Sequence, residues 1–346
     1  MSTPTATATR EEVAARFRDG AAAVDHGDLQ VRDGLRWLGE RDLIAPAGAG
    51  LPHAVDLVER IAGECLSSAF SLWAHRMVIE YLSRGSTDAG AVLDELRAGR
   101  AVGSTAMAPA LRDVAGLEPV PVLARRDGSG LRLTGPIRWA SNLFDDAVVV
   151  LPVRLEDTGP AGRAVVRIRL SDPGVRVDPR PELLALNGTA SSSARLDDVP
   201  VPAAAVLAED LPGFVGAIRP AFLLLQTAFC AGLALRSVHE AGRHTSGPNA
   251  ELAADLDTLV ARAESVHQRL HAAAAEPTAI GRAELLRLRL DAADTASAAT
   301  RIEATVRGGA GYLAGSEVSR RLREGAFLPI QAPTEGQLRW ELSRCA

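Results

Sequence analysis

The sequence predicts an α+β protein, mostly α, in three consecutive parts: an N-terminal helical domain over 1–100, a central small antiparallel β-barrel over 101–210 and a C-terminal four-helix bundle over 211–346. The spacing of apolar residues carries this reading. It runs at three and four to about Arg100, at two through the middle of the chain, and at three and four again to the end. The turn residues agree, because Gly, Pro and Asp cluster at regular intervals in the middle third.

In the first part Leu57, Ile61, Cys65, Ala69, Leu72, Trp73, Arg76, Met77 and Tyr81 follow at helical spacing, with a turn at Gly48–Pro52. In the second, Pro119–Arg126, Leu131–Thr134, Asp146–Val153, Ala164–Leu170, Val175–Val177 and Ser192–Leu196 are short and often β-branched. Asp127–Gly130, Asp157–Gly162 and Ser171–Gly174 separate them, the pattern of a barrel or sandwich. In the third, Phe214–Arg243, Asn249–Ala274, Arg282–Thr305 and Gly315–Gly325 read as four long helices with short breaks, as in an antiparallel bundle.

Composition removes several function classes. With 47% hydrophobic and 23% charged residues the chain has material for a core, so it is neither disordered nor a disulfide-stapled mini-protein. A net charge of −5 argues against a nucleic-acid surface or an anionic-membrane surface. All 38 basic residues are Arg, which excludes a lysine Schiff base and a P-loop lysine. Cys65, Cys230 and Cys345 are too scattered for a disulfide framework, which fits a cytoplasmic location. Met1–Arg10 reads as a frayed tail, and the apolar run Ala221–Leu235 as a core helix too short to span a bilayer.

No P-loop, GxGxxG, HExxH or GxSxG motif is present. His267 and His271 stand at i, i+4 and could share a metal, but their surroundings are rich in Ala and Arg. They read as solvent-facing, and no metal is expected. The cluster "RGGAGY" at 307–312 is either a helix end with its turn or a place where bare backbone approaches a ligand. In "RWASN" an extended backbone puts Trp139 and Ser141 on one face, an aromatic plate beside a hydroxyl. His75, in "SLWAHRMVIEYL", shares a helix face with Leu72 and Ile79. It is either a core histidine or an acid/base in a cavity between helices and barrel.

Four segments in this order resemble the acyl-CoA dehydrogenase superfamily of flavoproteins over nearly the whole chain. They are "AVDLVERIAGECLSSAFSLWAH", "LTGPIRWASNLFDDAVVVLPV", "NGTASSSARLDDVPVPAAAVL" and "RGGAGYLAGSEVSRRLREGAFLPI". The resemblance implies FAD, or FMN, and a homodimer or homotetramer. It places Trp139, Ala140 and Ser141 against the flavin ring, with Thr105, Met107 and Ala108 in the loop that wraps it. Gly308 and Gly309 fall at the adenosine end and Thr334 in the C-terminal threonine motif. Trp73, Leu225 and Ala332 fall in the substrate pocket.

The departures from the family pattern point to a branch. Counting from Arg323, Ala332 occupies the position of the family's catalytic Glu, and Glu335 reaches it only by a slip of three residues. The first C-terminal helix offers no carboxylate between Arg219 and Glu240. α,β-Dehydrogenation of a thioester needs a base for the α-proton. The reading is therefore a reduced-flavin and O₂ monooxygenase acting on a small molecule or carrier-bound intermediate, with His75 and Ser141 as catalytic candidates and a separate flavin reductase as partner. The alternative is an acyl-CoA or acyl-carrier dehydrogenase with a displaced base, and the third reading is a homologue without redox activity.

Overall fold

The computed structural model describes residues 8–85, 89–157 and 162–345. Five helices come first: α1 (Arg10–His26), α2 (Val31–Gly39), α3 (Gly50–Glu64), α4 (Leu66–Arg84) and α5 (Gly90–Arg97). Thr9 starts α1 with a capping box: its side chain accepts from the backbone of Glu12, whose carboxylate accepts from the backbone of Thr9. Cys65, in extended conformation, is the only break between α3 and α4.

The middle of the chain holds β1 (Val102–Thr105), α6 (Ala108–Val114), β2 (Leu123–Asp127), β3 (Gly130–Ala140), β4 (Ala147–Leu155), β5 (Arg163–Arg169), β6 (Val175–Val177), β7 (Ser192–Val201) and β8 (Val206–Ala208). The strands form one sheet in the order β6-β7-β3-β2-β4-β5-β8, with β1 paired to β4. Most pairings are antiparallel, as the alternation predicts. β1 and β2, however, both run parallel to β4. β1 is the strand that joins the sheet to the helices. A Cβ at Gly103 would come within 2.8 Å of the Val78 side chain, so β1 packs directly on α4.

The C-terminal part holds α7 (Leu211–Gly242), α8 (Ala253–Ala275), α9 (Arg282–Arg307), α10 (Glu317–Phe327) and α11 (Glu335–Leu342). α7 is long and apolar enough to cross a membrane, but 89% of its most apolar window is buried among α3, α4, α8 and α9. It is the central helix of the molecule. A Cβ at Gly232 would lie 2.0 Å from the Glu59 carbonyl oxygen, so α3 and α7 cross with backbones in contact.

The apolar residues assemble into two cores. One is shared by the N-terminal and C-terminal helices, from Val13 and Phe17 through Trp73 and Phe229 to Leu338. The other lies within the sheet, around Leu133, Val149, Val153 and Val166. The helix-to-strand change falls between Arg97 and Val102, and the strand-to-helix change between Ala208 and Leu211.

Candidate active site

The seam between the two cores contains a cavity of about 420 Å³. The sheet contributes Thr105, Trp139, Ala140 and Ser141; α4 contributes Phe70 and Trp73; α7 contributes Phe222. Phe327, Ile330, Gln331 and Ala332 close the far side, and the Leu183–Leu186 loop forms the mouth. The chain has only seven Phe, four Trp and two Tyr. Five of these rings, on Phe70, Trp73, Trp139, Phe222 and Phe327, line this one cavity. Phe70 stacks on Trp73 at 5.3 Å, while Phe327 and Phe222 meet that pair edge-on at 5.0 and 5.1 Å.

Trp139 reaches the wall because the strand is irregular. β3 shifts register against β7 twice, between Leu133 and Gly135 and again between Ile137 and Ala140. The irregularity leaves Trp139 half exposed at 52% and brings Trp139, Ala140 and Ser141 all to the cavity. Regular alternation would have presented Trp139 and Ser141 without Ala140. Asn142, two residues beyond the end of β3, has φ 61 and is fully buried. Its amide donates to the carbonyls of Ser71 (3.0 Å) and Gly103 (2.9 Å) and accepts from the Ser71 hydroxyl (2.6 Å). Ser104 donates to the Ser141 carbonyl at 2.6 Å. These bonds fix Trp139–Ser141 to α4 and β1. The Ser141 hydroxyl has no hydrogen-bond partner among the described residues, so it remains available to a ligand.

The opposite wall is held by a buried cation. Gln226 and Gln331 both donate to the Ala332 carbonyl at 2.9 Å. Arg289, 1% exposed, donates in turn to Gln226, Gln331 and the Leu328 carbonyl. Among the wall residues Arg323 alone carries a charge. It is paired with Asp25 of α1 and donates to the Leu184 carbonyl at 3.0 Å, which ties α10 to the loop at the mouth. Among the described residues the wall contains no carboxylate and no imidazole.

Of the residues expected from the sequence, Thr105, Ala108, Trp139, Ala140, Ser141, Trp73 and Ala332 share this wall. Six do not. His75 is wholly buried between α4, α5 and β1. Its Nδ1 accepts from the Gly103 N–H at 2.9 Å, so Nε2 donates to the Leu96 carbonyl at 2.9 Å. Burial pushes its pKa down to about 4. It lies outside the cavity wall, with both ring nitrogens engaged by backbone. Met107 is also buried, in the helical core at the start of α6. Leu225 faces that core too, and Phe222, one turn earlier, takes its expected place in the wall. Thr334 caps α11, its hydroxyl accepting from Gln337 at 3.3 Å. Gly308 and Gly309 are exposed at the end of α9, and Gly308 borders a separate pocket of about 260 Å³ that shares only Arg323 with the cavity.

Two further placements decide chemistry. Glu335 lies outside the wall, bordering another pocket, and accepts from Arg339 at 2.8 Å. His267 and His271 do not face solvent alone, since both rings meet Glu59 of α3. The sequence offered no sign of that third partner, 208 residues away from His267.

No family model matches the sequence, and no curated protein matches it. Solved structures do. A glutaryl-CoA dehydrogenase in complex with glutaryl-CoA superposes with a TM-score of 0.86 at 16% identity, covering 96% of this chain and 93% of that one. FkbI, described as serving biosynthesis of the methoxymalonyl extender unit of the polyketide Fk520, superposes at 0.79 with 22% identity over 97% and 98%. An FAD complex of PigA superposes at 0.82 with 15% identity over 99% and 98%. The chain therefore has the acyl-CoA dehydrogenase fold over its full described length.

Proposed function

We propose that the chain is a flavin-dependent oxidoreductase that binds FAD, with the flavin ring against Trp139–Ser141 and an apolar substrate against Phe70, Trp73, Phe222 and Phe327. The wall fits such a ring: a half-exposed indole, an unpartnered hydroxyl at Ser141 and a second hydroxyl at Thr105 border one cavity. The FAD complex among the structural neighbours supports the same cofactor. When bound, FAD supplies a two-electron acceptor or, in its reduced form, a means of activating dioxygen.

Within this reading we favour oxygenation over α,β-dehydrogenation. The observation that carries it is the wall itself. A thioester α-proton needs a positioned base, and the cavity presents Ala332 and no carboxylate or imidazole. Glu335, the displaced-base candidate, sits in another pocket and is paired with Arg339. The residues that remain bind and orient: the aromatic cluster excludes water, Thr105 and Tyr81 share a hydroxyl contact at 3.0 Å, and Ser141 offers one donor. Burial holds Tyr81 above its ordinary range, so it stays a neutral donor. An oxygenase of this kind draws its electrons from a separate flavin reductase.

The exposed apolar side chains Leu184 (68%), Ile330 (69%), Tyr312 (88%) and Leu313 (67%) lie on segments that border the cavity or the Gly308 pocket. We infer that a second copy of the chain covers them in a homo-oligomer.

The test pairs two assays on the purified protein. Oxygen uptake driven by NADH and a flavin reductase, in the presence of aromatic and acyl-thioester candidates, is the positive result. Ferricenium reduction by acyl-CoAs, abolished by Glu335→Gln, would replace this reading with the dehydrogenase. Absence of flavin uptake would leave a homologue without redox activity.

A further inference from the structure

We propose that Glu59, His267 and His271 form a transition-metal site, zinc in the first instance, that pins α8 to α3. The side-chain ligand atoms of the three lie within 4.8 Å of one another. His267 Nδ1 is 2.9 Å from one Glu59 carboxylate oxygen and His271 Nε2 is 2.7 Å from the other. The two rings stand 4.4 Å apart.

The scaffold under this cluster is rigid. Glu59 is placed by the backbone contact of α3 with Gly232 of α7. His267 and His271 flank the buried stripe of α8 formed by Ala263, Val266, Leu270 and Ala274. Both rings are engaged by Glu59 and by each other, while the side chains keep 43% and 32% exposure. That leaves an outward position for water.

The choice of partner is the second observation. The buried acids Asp25, Glu64, Glu303, Glu324 and Glu341 are each paired with Arg. Glu59, also buried, is faced by two imidazoles and has no Arg partner among the described residues. The chain has 38 Arg and only 7 His. The adjacent arginines on the same helices, Arg60 and Arg269, are engaged with Asp56 and Asp291.

Two imidazoles and one carboxylate are a zinc donor set with a fourth, open position. Metal–ligand bonds of about 2.0–2.2 Å put tetrahedral donors roughly 3.3–3.6 Å apart. Small side-chain rotations bring the present contacts to that spacing. Each neutral ring moves its single proton to its outward nitrogen, which frees the lone pair that faces Glu59.

The experiment uses untagged full-length protein, stripped with a chelator and dialysed against zinc sulfate. Its readout is bound metal and melting temperature, so it stands apart from the flavin reading. Wild type is expected to retain one zinc per chain and to melt higher with zinc than without. His267→Ala/His271→Ala and, separately, Glu59→Gln are expected to weaken zinc uptake about tenfold or more. The histidine variant, made on half-exposed positions, should keep its metal-free melting temperature. Zinc uptake by wild type no greater than by the histidine variant, or uptake unchanged in both variants, would overturn the proposal and leave a hydrogen-bonded clamp only.

Discussion

The cavity and the α3–α8 face are opposites. The cavity gathers five aromatic rings and one charged side chain, which is already paired with Asp25. The α3–α8 face gathers three titratable side chains around one point. The difference teaches where chemistry has to come from in each. The cavity wall can bind, shield and orient, and in the proposed flavin reading the electrons come from a bound group. The α3–α8 cluster carries its donors in the chain itself.

The largest expected effect is on the hinge of the cavity wall. Asn142→Ala removes three buried hydrogen bonds and places Ala at positive φ, a loss of about 3–4 kcal/mol. Denaturant unfolding should show it, together with weaker FAD binding because Trp139–Ser141 are released. Full stability in this variant would mean that the wall is held elsewhere.

A comparable effect should appear with pH. His75 has a folded pKa of about 4 against an unfolded 6.5, so the folded state resists its protonation. Its contribution is complete above pH 6.5 and is lost as pH falls from there toward 4, up to about 3 kcal/mol. His75→Gln should flatten that part of the stability profile while leaving FAD binding and turnover in place at neutral pH. If the variant kept its fold and bound FAD but lost turnover, His75 would regain a place in the chemistry.

Smaller effects follow at the wall itself. Trp139→Ala should weaken FAD binding by about 1 kcal/mol, or roughly fivefold, since aromatic contact contributes on this scale beyond area burial. Glu335→Gln should leave the oxidation rate within about twofold, because its carboxylate is engaged outside the cavity. A severe loss with Glu335→Gln would show that the segment after Ala332 rearranges on substrate binding.

The order of helices, strands and helices was legible because apolar spacing is a local property. The parallel pairing of β1 with β4 was not, because nothing in a four-residue strand names its partner. That Trp139 and Ser141 border one cavity was readable from their own neighbours. The role of His75 was not, since its state depends on the Gly103 N–H and the Leu96 carbonyl, which only the tertiary fold brings together. The same limit hid Glu59 from His267 and His271. Phe222 in place of Leu225 is a matter of one turn on a helix apolar all round, where periodicity has little phase.

The central claim is that one chain presents a flavin site at Trp139–Ser141. A titration of the purified protein with FAD, followed by tryptophan fluorescence quenching and flavin absorbance, tests it most directly. The account predicts saturation at one FAD per chain, with much of the quenching lost in Trp139→Phe while binding persists. No saturable binding, or quenching untouched by that substitution, would contradict it.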